Sequence, residues 1–255
     1  MRKALVVVGM HRSGTSAITR VLNLLGAQIS SHLILPGEDN IRGFWEPWEI
    51  VDINNRLLAV LASAWDEPLG LELTSLDTNL RQQLHEEAVS VLRRDMDASR
   101  LFVMKDPRFS RVIPFWMDVL AELEFEPCFI QALRHPSEVA ASLKRRNGFA
   151  KSKSYDLWLD HNLRLRRDAA GRKCCIVRYD LLLTDWRKAL ASIPETFGIQ
   201  WAITTLVAAS VAQFLTVDER HQWAGLEDLW HPELPPEVRN LYLELSGLAA
   251  GEEQP

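Results

Sequence analysis

The sequence predicts a three-layer α/β fold, a parallel sheet with helices on both faces. Three observations predict it. Short apolar runs recur at Ala4–Val8, Leu101–Met104, Cys128–Leu133 and Cys174–Val177, the first of them mostly β-branched. Stretches of helical periodicity separate them, so strands and helices alternate. Each run stops abruptly at polar residues: His11-Arg12-Ser13 beyond Gly9, Lys105-Asp106, Arg134-His135 and Arg178-Tyr179-Asp180. In such a sheet those endings share one rim, where ligands bind.

Ala4–Val8 reads as a strand buried on both faces, closed by Gly9. Residues 15–25 read as a helix from the spacing of Ala17, Ile18, Val21, Leu22 and Leu25, with Gly26 as its stop. Pro36, Gly37, Asn40 and Gly43 mark residues 27–47 as a long loop, and long loops in compact domains are usually functional. Helices are predicted at 48–64, 78–97 and 111–122, with the strand 101–104 between the last two. After the strand 128–133, Pro136 stands at a first helical position, and that helix runs to about Arg146 before Gly148. A helix over 155–170 and the strand 174–177 follow. Residues 185–246 read as mostly helical, broken by prolines, and the last five residues as a frayed end.

The whole chain, residues 1–255, fits one domain, with a core over about 3–186 and a helical C-terminal part over about 187–250. With 47% hydrophobic and 25% charged residues the composition is ordinarily globular. The net charge of −5 speaks against a nucleic-acid binder, which needs a broad basic face, but allows a local anion site. Cys128, Cys174 and Cys175 suit neither a disulfide framework nor zinc, because they are odd in number and lack a Cys-x-x-Cys pair. The N-terminal apolar run is too short for a signal sequence or a membrane span, so the expectation is a cytoplasmic protein without stable membrane insertion.

Gly9-Met10-His11-Arg12-Ser13-Gly14-Thr15-Ser16 has the glycine spacing of a phosphate loop. Strand, turn and helix N-terminus together present backbone N–H groups and a favourable dipole to an anion. Thr15 stands where a nucleotide-hydrolysing loop carries its lysine, and Arg12 supplies the positive charge instead. His11 lies inside the turn as a further candidate contact. Arg134 ends the third strand, and Ser142 follows eight positions on, roughly two helical turns away. Arg134 and Ser142 form a second anion site, so the ligand has two separated anionic groups.

On these residues the chain resembles the sulfotransferases that use 3′-phosphoadenosine 5′-phosphosulfate (PAPS), particularly their bacterial branch, over about residues 3–186. The resemblance implies a P-loop-like fold and a role for each motif. Arg12, Ser13, Gly14, Thr15 and Ser16 would hold the 5′-phosphosulfate, and Arg134 with Ser142 the 3′-phosphate. Tyr179, followed by Asp180, would lie near the adenine. A basic loop that closes over the 3′-phosphate has its nearest match at Arg220-His221.

Sulfuryl transfer needs a base for the acceptor's proton, stabilisation of negative charge, and in-line placement, with no metal demanded. Arg12 is the candidate for charge stabilisation. Two carboxylates are candidates for the base. Glu46 sits in the long loop among Trp45, Pro47 and Trp48, whose apolar surroundings would raise its pKa; its alternative role is to favour the start of the helix at 48. Asp106 belongs to the cluster Lys105-Asp106-Pro107-Arg108. There, Lys105 is a candidate for leaving-group stabilisation, with Asp106 paired to Lys105 or Arg108. Trp45, Trp48 and Trp65 fall near the expected acceptor side. The acceptor is a small molecule, glycan or lipid. A P-loop small-molecule kinase and a non-catalytic nucleotide-binding protein are the competing readings, the first disfavoured by Thr15.

Overall fold

A computed structural model describes residues 2–37, 40–67, 73, 76–96, 99–215 and 224–247. Four strands, β1 (Arg2–Val8), β2 (Leu101–Lys105), β3 (Phe125–Leu133) and β4 (Cys174–Arg178), form one all-parallel sheet in the order β2-β1-β3-β4. The chain first winds from β1 to β2, then returns to add β3 on the other side of β1. The loops leaving β1 and β3 therefore diverge at a topological switch point, which opens a crevice at the carboxyl edge.

The helices are α1 (Thr15–Leu24), α2 (Trp48–Val60), α3 (Thr78–Met96), α4 (Phe109–Glu122), α5 (Pro136–Asn147), α6 (Lys151–Asp168), α7 (Tyr179–Thr184), α8 (Trp186–Ala189), α9 (Ser192–Phe197), α10 (Thr205–Phe214) and α11 (Pro236–Ser246). A short 3₁₀ turn spans Leu226–Trp230. The side chains of β1 alternate between two cores. Ala4, Val6 and Val8 pack with α2, α3 and α4, whereas Leu5 and Val7 pack with α1 and α8–α10. That alternation makes the three layers. A third cluster, including Met10, Trp158 and Leu241, joins α5, α6 and α11.

Several boundaries differ from the sequence reading, among them the end of α2, at Val60 where 64 was expected. β3 starts at Phe125, three residues early, and includes Pro127. Proline is tolerated because β3 pairs only with β1 there; its pairing with β4 begins at Phe129. α6 starts at Lys151, directly after an extended Ala150, with no sequence-visible cap. α4 runs from Phe109 but is kinked at Val112 (φ −134°, ψ 27°), two residues ahead of Pro114, whose ring cannot sit in a regular helix. Among the described residues no helix is long and apolar enough to cross a membrane.

Candidate active site

Parallel strands bring all four polar endings to one edge, the turn after β1 among them. Gly9 leaves the sheet at φ 135°, and a Cβ on it would stand 2.7 Å from the carbonyl oxygen of Ala132 in β3. Arg12 is left-handed (φ 68°), a conformation that costs a non-glycine residue about 1–3 kcal/mol and is kept where surrounding contacts enforce it. One enforcing contact is Arg134, whose Nη1 donates to the Arg12 carbonyl at 3.0 Å. α1 begins after Gly14 without a side-chain cap and without an acidic residue in its first turn. Its first N–H groups are thus not consumed by a protein carboxylate, as an anion site requires.

The two expected anion sites meet in space. Arg12 Nε donates to Ser142 Oγ at 2.9 Å. Arg134 is oriented by Glu138 one helical turn on, Nε to Oε2 at 2.8 Å, and its guanidinium carbon lies 4.6 Å from the centroid of the Tyr179 ring. Tyr179 in turn covers Gly14. Ser13 points inward and is buried, its N–H donating to Met10 O at 3.2 Å.

Lys105, at the end of β2, is the hub of the other cluster. Its ammonium is buried and donates to Glu46 Oε1, to Phe44 O at 3.0 Å and to Ser16 Oγ at 3.1 Å. Ser16 Oγ itself donates to Phe44 O at 3.0 Å. One cation therefore ties the phosphate loop to the long loop. The backbone around Glu46 is clipped on both sides, Ile34 N to Glu46 O at 2.8 Å and Trp48 N to His32 O at 3.0 Å. Glu46 does not cap α2, whose N-terminus has no side-chain cap. Burial raises its pKa; the Asp106 charge adds to the rise, and Lys105 and Arg108 oppose it.

Asp106 is fully buried and spoken for. Asn54 Nδ2 donates to its Oδ2 at 2.8 Å, while Arg108 donates to Oδ1 from its backbone N at 3.0 Å and from Nη1 at 2.8 Å. Asn54 is fixed by Trp116, Nε1 to Oδ1 at 2.7 Å. These partners leave Asp106 as the orienter of Arg108. The sequence does not flag Asn54: it lies in mid-helix, 52 positions from its partner.

Both clusters line one cleft of about 1160 Å³, bordered also by His11, Thr15, Trp65, Arg146, Phe214 and Leu215. Of the three tryptophans expected there, Trp65 alone lines it. Trp48 is 53% exposed on the outside of α2, and Trp45, at φ 57°, turns away to sit under Arg20. His11 packs on Trp65 with ring centroids 4.4 Å apart. Its pKa is held well below the usual value by burial first and then by Arg108 and other cations. Arg220 and His221 lie outside the described residues.

The chain matches a family model described as "Sulfotransferase family" over residues 4–202. No curated protein matches it. Among solved structures it is similar to the sulfotransferase domain from the curacin biosynthetic pathway (15% identity, TM-score 0.53, 96% of this chain and 98% of that one). It is also similar to the sulfotransferase domain of the Synechococcus PCC 7002 olefin synthase (16%, TM-score 0.52, 100% and 96%). A third likeness is to sulfotransferase STF9 from Mycobacterium avium (14%, TM-score 0.51, 88% and 70%). At these identities the likeness is one of fold.

Proposed function

The chain belongs to the sulfotransferase family, and from that premise we propose that it moves the sulfo group of PAPS to a hydroxyl or amine of a small-molecule, glycan or lipid acceptor. One observation carries the reading: the Lys105–Glu46 pair stands in the same cleft as the clamp made by Arg12, Ser142, Arg134 and Tyr179. A kinase reading lacks the loop lysine. A merely nucleotide-binding protein has no use for a buried carboxylate with a raised pKa beside the anion loop.

The residues fit the donor on their own chemistry. The Arg12 turn and the uncapped start of α1 suit a phosphosulfate. Arg134 and Ser142 suit a second phosphate. Tyr179, Phe214 and Leu215 give one part of the cleft an apolar, aromatic lining suited to a base. PAPS supplies an activated sulfo group on a phosphate leaving group.

Glu46 accepts the proton of the acceptor hydroxyl as the acceptor oxygen bonds to sulfur and the bond from sulfur to the bridging oxygen breaks. A base works best when its pKa approaches the working pH, and burial moves Glu46 in that direction. Lys105 neutralises the leaving phosphate's oxygen, reaching it through the same donors that now hold Ser16 and Phe44 O. Arg12 stabilises charge on the transferred group. Asp106 touches no reacting atom; it orients Arg108.

Thermal stability tests the reading. 3′-Phosphoadenosine 5′-phosphate (PAP) should stabilise the protein, and ATP with magnesium should do so far less. Arg134→Ala should remove the PAP response. A preference for ATP would sink the proposal, and so would a failure to transfer label from sulfur-labelled PAPS to any hydroxyl or amine in a broad acceptor panel.

A further inference from the structure

A second wall of the cleft is built around Trp65. Arg146, at the end of α5, lies with its guanidinium carbon 5.1 Å from the Trp65 ring centroid, and its Nε donates to Asn147 Oδ1 at 2.6 Å. Trp65 is itself braced, stacked on Phe149 with centroids 5.8 Å apart and packed against His11. Arg108 completes the wall, held through Nη1 by Asp106.

Two observations make this wall more than a basic patch. His11 Nε2 and Arg108 Nε are both buried without a hydrogen-bond partner among the described residues, although such atoms cost about 1–3 kcal/mol each when left unsatisfied. His11 is only 8% exposed, yet it lines the cleft. Furthermore, Glu46 is the sole acidic residue among the described residues of the lining, and Lys105 already answers its charge. The dipole of α5 favours cations in its last turn, where Lys144, Arg145 and Arg146 stand, but it does not explain why Arg146 is folded onto an aromatic ring inside the cleft. A guanidinium held by a ring and an amide has lost its rotamer freedom in advance, which favours a charged ligand.

We infer that the acceptor carries an anionic group, a carboxylate or a phosphate ester, and that Arg146 and Arg108 recognise it from the Trp65 wall. This rests on the reading above, in which Arg12 and Arg134 serve the donor; of the other arginines in the lining, Arg146 packs on Trp65 and Arg108 is fixed by Asp106. The anion also orients the acceptor, because a group fixed at the wall limits which hydroxyl reaches Glu46.

The test uses full-length protein saturated with PAP and measures its melting temperature with para-hydroxyphenylpropanoate, its amide, tyramine or phenyl phosphate. At about tenfold its Kd an anion should add ~2–3 °C, while the amide and the amine should add little. The two anions distinguish carboxylate from phosphate-ester recognition. Arg146→Gln should abolish the anion's shift and leave the PAP response unchanged, and Arg146→Lys should restore part of the shift. Equal shifts from the amide or amine, an anion shift that survives Arg146→Gln, or no response to either anion overturns the inference. Loss of the PAP response in Arg146→Gln overturns it too, because the arginine would then serve the donor. A wild-type protein that ignores PAP fails earlier, at the donor reading, and takes this inference with it.

Discussion

Tyr179 packs so closely on Gly14 that a Cβ there would stand 2.2 Å from ring atom Cδ2. Gly14 also has φ 89°, which disfavours any side chain. Gly14→Ala should therefore lower stability by about 1–2 kcal/mol and weaken PAP binding at least ~10-fold by displacing the ring that packs on Arg134. Calorimetric titration with PAP checks this. Tyr179→Ala and Gly14→Ala together should cost less than the sum of their separate effects, because both remove the same ring packing, and the double variant should not recover affinity.

Glu46→Gln should lower kcat by about 10²–10⁴-fold while PAP affinity stays near wild type. In wild type, turnover should fall with pH through a pKa above the ordinary 4.5 of a glutamate, because burial holds the proton. Lys105 opposes that rise, so Lys105→Met should slow the reaction and move the acid limb of the residual activity to higher pH. An acid limb that does not move would separate the two residues functionally.

Asn54→Ala removes the donor to Asp106 Oδ2 and the acceptor of Trp116 Nε1 together. The expected loss is about 2–4 kcal/mol in urea unfolding, because two buried polar groups are left without partners. Asn54→Asp should be worse, and increasingly so as pH rises, because a second carboxylate would face Asp106 in the interior.

His161 is fully buried behind His11, with Nδ1 2.7 Å from Ser110 Oγ, and burial takes its pKa down to about 4 from 6.5. The unfolded chain thus binds a proton below pH 6.5 that the folded protein refuses until about pH 4. Stability should fall as pH drops through that window, by up to ~1.4 kcal/mol per pH unit from this group, with His11 adding in the same direction. Chemical denaturation at several pH values should give a shallower slope for His161→Gln.

The sheet, the helices beside it and the ends of the strands were legible in the sequence because they rest on local periodicity and on glycine and proline. The glycine turn after β1 was legible for the same reason, and so was the placing of Arg134 at a strand end and Ser142 on the helix that follows. What the sequence hid was pairing between distant segments. Nothing local says that Lys105 will reach Glu46, 59 positions away, or that Arg12 will reach Ser142, 130 away. The same limit explains the tryptophans: composition marks the loop as aromatic, but the left-handed turn at Trp45 and the outward face at Trp48 decide which ring meets the cleft.

The bond from Arg12 to Ser142 has a thermodynamic consequence. On the proposed reading Ser142 and Arg134 would serve one end of the donor and Arg12 the other, and all three are joined through Arg12, by its side chain to Ser142 and by its carbonyl to Arg134. The two ends are therefore linked equilibria. An anion that took up the Arg134 guanidinium would compete with its bond to the left-handed turn, two strands away in sequence but adjacent in space, and a ligand that engaged Arg12 would free the Ser142 hydroxyl. By reciprocity each end would change the affinity of the other by the same factor, so occupancy of one should be felt at the other.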